Sequence, residues 1–549
     1  MRSTRWALAS FALAVLLTFA ATPAAAVELS DGVEAHLVLH GLFTVRNNAL
    51  QQAVLLEPRS SAFRPVAPVF LLGDYLRPVL HQSYFSGLLS AGLEGRGLGG
   101  RLRWVITADT GEVRRASLPA GEAVCRSGGT LDAGNLLAPT PTGLALPGTG
   151  RCNLVRRLRI VDGTTLAAPI WTSNGRSIED EAKSTLLLRE AYLGLSFGRA
   201  DFAVVRAGRK RMTVGDGYVF DGWATGVETD LDLGALGPSW DVGAAVFYPT
   251  PDFPTGDQLA SPMVSLRADY LPSLFEHAGL FAAVFWDQDG STGALFRGSA
   301  VEELVTRLQG LSPGNDPYRN GSQLLAGVLD APFPSTGFLS WLGTSGDLRF
   351  LGGRLRWTGA VVLGQLTLRP EESPITSSVF GQLASLRFER EPLPGLTLGG
   401  FFLYLSGDLP PVQRKRRGLS PDYGGFLGVN PFITETNLFF EGGTSESFSN
   451  RQASAPGING RGVIAPGLTA AWDPIDQLRA QARGAYLVAP RVGPYGGLVY
   501  GPELDVNLTV TPTPWLTFTG ETDVLWPGDF FSQGGPMVKV VFGVELRPL

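Results

Sequence analysis

Arginine is the side chain whose abundance most directly suggests a chemistry in this sequence. Four of the 45 basic residues are lysines, and the others are arginines. The lysines are Lys183, Lys210, Lys415 and Lys539. A guanidinium group binds carboxylate or phosphate in a planar, two-point geometry and keeps its charge at any physiological pH. A surface rich in arginine would therefore attract anions, although a GC-rich genome would give the same bias without a functional reason.

Residues that could catalyse a reaction are scarce. His36 and His40 share one face of an extended segment, but four residues of extended chain separate them by about 13 Å. That distance is too long for two ligands that each bind one metal ion at about 2 Å. No serine or cysteine stands beside an evident base. We predict that the protein is not an enzyme and has neither a metal site nor a cofactor.

The first 26 residues have the pattern of a secretory signal. Arg2 and Arg5 precede an apolar run at 7–20, and the small residues Pro-Ala-Ala-Ala follow at 23–26. We expect cleavage after Ala26, which leaves one domain at 27–549. The formal charge of −5 becomes −7 when the two arginines of the leader are removed. This acidic balance argues against nucleic acid as a partner.

The two cysteines, Cys125 and Cys152, lie in one Gly- and Pro-rich segment at 111–183. Oxidation is favoured in an exported protein. No matching set of metal ligands accompanies the pair. We predict that the two cysteines form a disulfide that closes this loop.

The elements that position the charged residues are segments of about ten residues in which polar and apolar side chains alternate. Successive side chains leave a strand on opposite faces, so such a segment has one polar and one apolar face. In the clearest example the polar face consists of Glu503, Asp505, Asn507 and Thr509, and the apolar face of Leu504, Val506, Leu508 and Val510. The following segment repeats the pattern and is bounded by Trp515 and Trp526, where interfacial aromatic residues belong in a membrane barrel.

Short and long connections alternate between these segments. The short ones are at 94–99, 197–200, 235–238, 358–359, 391–395, 473–476 and 511–514, and the long ones at 46–83, 111–183, 288–345 and 407–460. In bacterial barrels short turns face the periplasm and long loops face outward. The sequence therefore predicts an all-β, antiparallel up-and-down barrel of about eighteen strands in the outer membrane of a Gram-negative cell. A soluble β-sandwich or propeller is the alternative, and 301–311 has the pattern of a short amphipathic helix in an outer loop.

Strand direction assigns a height to each charged residue. Arginines near the periplasmic turns, with one nearer mid-height, are Arg101, Arg103, Arg354, Arg356, Arg387, Arg479 and Arg483. Carboxylates near the outer ends of two neighbouring strands are Glu503, Asp505, Glu521 and Asp523. Arg209 and Arg211, in the basic run at 208–211, end a strand near the outer side and are expected to line the mouth. If these groups face the lumen, its periplasmic end is rich in arginine and its outer mouth is acidic; alternatively, the arginines pair with carboxylates of the wall or contact lipid headgroups.

The closing segments resemble the alginate-export family of outer-membrane porins. The resemblance rests on Gly-Pro-Glu-Leu-Asp at 501–505, the strand at 515–519 and Trp-Pro-Gly-Asp-Phe-Phe at 526–531. Gly-Arg at 208–209, Gly-Asp-Gly at 215–217 and Asp-Gly-Trp at 221–223 are similar to an earlier part of the same family. The resemblance covers about residue 189 to the end. It implies an eighteen-stranded barrel that exports an acidic polysaccharide through an electropositive lumen, with Arg209, Glu503 and Asp505 among the lumen residues.

Three functions agree with these features: an exporter of an acidic exopolysaccharide, a general or anion-selective diffusion porin for small solutes, and a barrel that serves as an adhesin or anchor. We expect the first, with an alginate-like polymer as cargo and small anions as the alternative cargo. Outer-membrane lipid and lipopolysaccharide are the expected surroundings. Periplasmic export proteins are possible partners.

Overall fold

The computed structural model describes residues 27–30, 32–47, 81–109, 113–117, 187–198, 202–236, 239–249, 261–273, 275–288, 335–368, 375–408, 423–429, 431–440, 443, 461–492, 497–530 and 536–547. The signal sequence, Cys125, Cys152, the helix at 301–311 and the basic run at 414–417 lie outside the described residues.

Twenty strands form one antiparallel sheet. Their bounds are β1 Val27–Ser30, β2 Val33–Asn47, β3 His81–Gly97, β4 Leu102–Asp109, β5 Val113–Ser117, β6 Leu187–Phe197, β7 Ala203–Val214, β8 Phe220–Asp232, β9 Trp240–Pro249, β10 Met263–Ser273, β11 Glu276–Asp287, β12 Ser335–Phe350, β13 Gly353–Leu368, β14 Ile375–Leu393, β15 Leu396–Leu405, β16 Val463–Ile475, β17 Leu478–Val488, β18 Val499–Thr513, β19 Leu516–Leu525 and β20 Met537–Leu546.

The sheet closes on itself because β2 pairs with both β3 and β20. The short β5 continues β4, since both pair with β3, and the short β1 pairs with β2 beside the turn that precedes it. Eighteen strand positions therefore surround the lumen, and the predicted antiparallel barrel is confirmed. Closure leaves no sheet edge to be satisfied by water, which is what a strand structure in lipid requires.

The two faces of the wall differ in polarity as the alternating pattern predicts. On β18 the side chains of Leu504, Val506 and Leu508 are exposed on the outside, whereas Glu503 and Asp505 are buried inside. Exposed apolar side chains such as Leu468 and Phe542 continue this outer surface on other strands. An apolar exterior around a closed barrel with short turns at one end is typical of an outer-membrane protein. The protein is an integral β-barrel of the outer membrane.

Helices do not contribute a membrane crossing in the described part of the chain: none there is both long and apolar enough to span a bilayer.

Three loop boundaries differ from those predicted. The predicted turn at 358–359 is wrong, because Thr358 and Gly359 pair on both sides within β13, and the turn lies instead at Leu351 and Gly352, both with positive φ. A glycine does not end a strand when both neighbouring strands continue past it. The loop at 288–345 ends earlier, since β12 begins at Ser335, and the segment at 111–183 includes β5 near its start.

Candidate functional site

The outer part of the lumen is crossed by a section of the β15–β16 connection, the described residues 423–429 and 431–440, which we call the strap. It begins along the inner wall, where the Tyr423 amide donates to the Ser378 carbonyl at 2.7 Å and the Tyr423 carbonyl accepts from the Phe380 amide at 2.9 Å. Farther on, the Trp341 indole donates to the Leu427 carbonyl at 2.8 Å. Part of the connection predicted as an outer loop at 407–460 therefore lies against the inner wall.

The strap then meets the connection between β7 and β8, residues 215–219, which we call the inner turn. The amide of Val429 donates to the Val219 carbonyl, and that of Phe432 to the Gly217 carbonyl, both at 2.8 Å. Gly215 has φ of +59°, and a Cβ there would lie 2.8 Å from the Phe281 ring, so this position requires glycine. The inner turn is thus built to project into the lumen.

Tyr218, at the tip of the inner turn, joins the two segments. Its hydroxyl donates to the Glu435 carboxylate of the strap and lies 2.8 Å from the Ser385 hydroxyl of β14. Burial raises the pKa of Tyr218 well above its usual value, and the neighbouring Glu435 carboxylate raises it further. The phenol therefore keeps the proton with which it holds Glu435.

Carboxylates of β18 hold the far end of the strap. The Leu438 and Phe439 amides donate to the two oxygens of Glu503 at 2.6 and 3.0 Å. The Asn437 amide donates to Asp505 at 3.0 Å. The strap backbone is fixed through consecutive amides.

Glu521 and Asp523 of β19 continue this anchorage through a lysine. The Lys539 ammonium of β20 lies 2.8 Å from Glu521 and 3.0 Å from Asp523, and it donates to the Asn437 carbonyl at 3.0 Å. The Asn437 side-chain amide donates to Asp523 at 3.1 Å. The structure thus places all four predicted carboxylates on the lumen face near the outer ends of their strands, covered by the strap. Sequence reasoning missed Lys539, although a single lysine in the valine-rich β20 was a visible signal.

Apolar contacts, the buried Arg461 and the partly buried Arg483 complete the attachment. The Phe439 ring packs on Tyr500 with centroids 4.6 Å apart. At the base of the connection the Arg461 guanidinium donates to the Asp408 carbonyl at 3.0 Å, and burial lowers the pKa of Arg461 to about 10, so it remains charged at neutral pH. Arg483 donates to the Thr434 carbonyl. Arg483 therefore binds the strap from the lumen face of β17. The sequence analysis placed this residue nearer mid-height than the other arginines.

Below the strap, arginines ring the periplasmic half of the lumen. Arg354 and Arg356 bind the two oxygens of Asp347 at 2.6 and 2.9 Å. Their side chains are 50% and 41% exposed, whereas that of Asp347 is 8% exposed. Arg387 pairs in register with Arg356 and therefore shares the lumen face. The carboxylate lies against the wall and the guanidinium groups face the water.

The same arrangement recurs around the ring. Arg103 lies 2.8 Å from Glu94, with exposures of 52% and 23%. Arg267 lies 2.8 Å from Asp230, with exposures of 46% and 16%. Sequence reasoning missed Arg267, which becomes recognisable only when the turn between β10 and β11 is known. These arginines therefore pair with carboxylates of the wall, which was one of the two arrangements expected from the sequence. In each pair the guanidinium group is more exposed than the carboxylate.

The remaining predicted residues occupy different positions. Arg479 lies 3.7 Å from Asp473, both about half exposed. Arg101 is exposed at the turn before β4. Arg209 and Arg211 lie on the same face of β7 as Ala207. Ala207 pairs with Val227, which faces outward, so both arginines lie on the face of β7 that points away from the lumen.

The basic run at 208–211 is thus divided between the two faces of β7. The Arg209 guanidinium is buried and donates to the Leu188 carbonyl at 2.8 Å, and Arg211 binds both oxygens of Asp221 at 2.7 Å. Lys210, between them, points into the lumen and binds Glu228. Successive side chains point to opposite faces of a strand, so consecutive residues cannot line the same channel. Lys210 is the basic residue of this run that faces the lumen.

The comparisons with known proteins found similarity in the course of the backbone, among solved structures. No protein-family model matches the sequence, and no curated protein matches it. Solved structures of similar course include Pseudomonas aeruginosa OccK5 (OpdH), with a TM-score of 0.46, 9% identity and coverage of 95% of this chain and 99% of that one. Pseudomonas aeruginosa OccK9 (OpdG) has a TM-score of 0.46, 12% identity and coverage of 94% and 99%. Acinetobacter baumannii OccAB1 has a TM-score of 0.45, 7% identity and coverage of 94% and 96%.

Proposed function

We propose that this protein is a diffusion channel for small anionic solutes in the outer membrane. The observation that carries the proposal is the unequal exposure of the ion pairs in the periplasmic half of the lumen. Arg103, Arg267, Arg354 and Arg356 are each about half exposed, and each binds a carboxylate that is much less exposed.

Exposure matters because a solute in the lumen meets the outermost charge of each pair first. Rings of arginine or lysine select for anions in pores. A guanidinium held by a wall carboxylate also keeps a fixed orientation, with its remaining N–H donors directed away from its partner. The ring therefore supports preferential passage of carboxylates and phosphates.

The strap favours a small solute over a polymer. Export of an acidic polysaccharide, which the resemblance to alginate exporters implies, needs a lumen that stays open along the whole length of a chain. Here Glu503, Asp505 and Lys539 bind the strap directly, and Phe439 packs against Tyr500. Displacing the strap would break these contacts each time a polymer entered, whereas small solutes need no such change.

Reconstitution in planar bilayers under a salt gradient tests the proposal. We expect stepwise currents whose reversal potential lies toward the equilibrium potential of the anion. A reversal potential toward that of the cation would refute anion selectivity. Arg354→Gln and Arg356→Gln should reduce the anion preference, since each removes an exposed charge.

Two further measurements separate the other functions. Current that is blocked by a soluble polyuronate added on the periplasmic side would support polysaccharide export. A correctly folded barrel that carries no current would support an adhesin or anchor.

A further inference from the structure

In the described part of the chain, four carboxyl groups lie together beneath the far end of the strap. They belong to Glu503 and Asp505 of β18 and to Glu521 and Asp523 of β19, and we call them the acidic cluster. Each of these residues is at most 3% exposed. Asp505 and Asp523 are register partners, and each strand carries its other acid two residues away on the same face. The cluster is therefore one contiguous group of buried acids.

The cations that face this cluster are fewer than its acids. Lys539 of β20 lies 2.8 and 3.0 Å from the two acids of β19. Arg483 of β17 is the register partner of Asp505, and Arg46 of β2 is the register partner of Lys539. Among the described residues, these three cations together would still leave four ionised carboxylates with an excess of negative charge. Buried acids in such surroundings retain protons, because an uncompensated buried charge is costly.

Contacts between the carboxyl groups indicate where these protons lie. Glu503 and Asp505 are within hydrogen-bond contact of each other, and so are Glu521 and Asp523. An ionised carboxylate only accepts hydrogen bonds, so each contact requires a proton on one of its two groups. Each pair therefore shares a proton while the strap covers it.

The strap keeps the two pairs away from water. Its donors at 437–439 bind three of the four acids, as described above. Farther along the same connection, a Cβ on Gly443 would lie 2.6 Å from the Glu521 carboxylate, so the chain also passes close to the fourth acid. When the strap leaves, the acids face the aqueous lumen, and carboxyl groups in water are ionised above about pH 5. Release of the strap is therefore coupled to release of protons.

We propose that the strap is a proton-controlled gate: protons shared within the acidic cluster hold it in the lumen, and their loss at rising pH lets it leave. The docked state binds more protons than the released state, so its stability is greatest in acid and falls as the pH rises. Each proton released lowers the ratio of docked to released strap about tenfold per pH unit. The proposal goes beyond the proposed function, because it concerns the strap and not the charge of the solute.

Glu435 and Asp408 also take part in hydrogen bonds of the strap. Glu435 accepts from the Tyr218 phenol, with Arg387 of β14 in electrostatic contact with that phenol. Asp408 accepts from the Gly424 amide at 3.1 Å. Both acids accept these hydrogen bonds from neutral donors, which requires no proton on either carboxyl group.

His277 of β11 is the group whose titration can imitate such a gate. It interacts electrostatically with Asp216 of the inner turn. A protonated imidazole would attract this carboxylate and so favour the docked inner turn in acid. The other three histidines of the sequence belong to β2 and β3. His277→Gln therefore separates the two origins of a pH response.

Hydroxyl-radical footprinting of the full chain in detergent tests the proposal, because it reports side-chain exposure independently of any current. Phe439 of the strap is 4% exposed, so its ring is protected while the strap is docked. Phe275, between β10 and β11, is 71% exposed and serves as the internal reference. Oxidation of the two rings is compared by mass spectrometry at about pH 6, 7 and 8, where carboxyl groups in water are already ionised.

We expect oxidation of Phe439 relative to Phe275 to rise by about ten- to a hundredfold per pH unit, for one or two protons released. Asp505→Asn supplies an amide that donates to Glu503 as the protonated acid does, so the strap should stay docked and the rise should be smaller. Combining it with Asp523→Asn should leave the oxidation nearly constant. His277→Gln is the matched control and should keep the full rise.

Equal protection of Phe439 at all three pH values would overturn the proposal, as would greater exposure in acid. An undiminished rise in the variant with both asparagines would also overturn it, and loss of the rise in His277→Gln would assign the response to the inner turn instead. If Asp505→Asn does not fold, Asp523→Asn alone provides the test, since Lys539 keeps its contact with Glu521.

Current recordings of the same proteins separate this proposal from the proposed function. A barrel that carries no current at any pH, but whose Phe439 becomes exposed as the pH rises, would overturn the proposed function and leave the proton-controlled strap. An anion-selective current with unchanged protection of Phe439 would overturn only the gate.

Discussion

Replacing Glu503 by glutamine should loosen the strap without changing the wall of the barrel. Both Glu503 oxygens accept backbone amides of the strap, from Leu438 at 2.6 Å and Phe439 at 3.0 Å. A glutamine side chain keeps one acceptor oxygen and turns an amide donor toward the second backbone N–H. One hydrogen bond to the strap backbone is lost, and two buried donors face each other.

The magnitude follows from these two changes. A hydrogen bond contributes about 0.5–1.5 kcal/mol, and leaving a buried donor unsatisfied costs about 1–3 kcal/mol. Their combined effect of about 3 kcal/mol exceeds the ~1.4 kcal/mol that corresponds to a tenfold change in an equilibrium constant. We therefore expect the ratio of docked to released strap to fall by about two orders of magnitude.

Single-channel recording measures this change as frequent transitions to a state of higher conductance. Glu545→Gln is the matched control, because Glu545 lies at the periplasmic end of β20, where it contacts His40 and Arg547 rather than the strap. Equal conductance and equal noise in the two variants would refute the conclusion that Glu503 holds the strap in the lumen.

Three other predictions concern the remaining parts of the structure. Asp347→Asn removes the wall carboxylate and keeps both guanidinium charges that it binds, so anion preference should rise, and a shift of the reversal potential toward the cation would contradict this. Lys539→Met leaves two buried carboxylates without their shared cation and should destabilise the fold by roughly 3–5 kcal/mol; the temperature at which the barrel loses its compact form in SDS gels should fall. Val506→Arg, on the lipid face, should lower the free energy of unfolding in bilayers by about 2–4 kcal/mol, whereas Asn507→Arg, on the lumen face, should have a much smaller effect in the same urea titration.

The barrel itself could be predicted from sequence because each strand repeats a simple pattern. In β18 every second residue from Leu504 is apolar and faces outward, as alternation requires. The turn at 358–359 was predicted wrongly because Thr358 and Gly359 are typical turn residues in isolation. Pairing with β12 and β14 carries β13 through them, and that pairing is visible only when the neighbouring strands are placed.

The strap could not be predicted from periodicity, because it has no regular structure and borrows its hydrogen-bond partners from distant strands. A signal was nevertheless present in its composition. Phe426, Phe432, Phe439 and Phe440 lie in what would otherwise be a solvated outer loop. Such a density of aromatic side chains outside the membrane has a simple physical explanation when the segment folds back into the lumen and buries Phe426, Phe439 and Phe440.

Carboxylates have opposite roles in the two halves of the lumen, and burial of their partners decides which role each has. Near the outer end, Glu503 and Asp505 accept amides of the strap and are covered by it, so their oxygens are used within the protein. Near the periplasm, Asp347 is equally buried, but its partners Arg354 and Arg356 are guanidinium groups that remain about half exposed. Carboxylates therefore anchor the strap at one level and hold exposed guanidinium groups at another. Charge counted along the sequence could not separate these two cases, because the difference lies in what covers each pair.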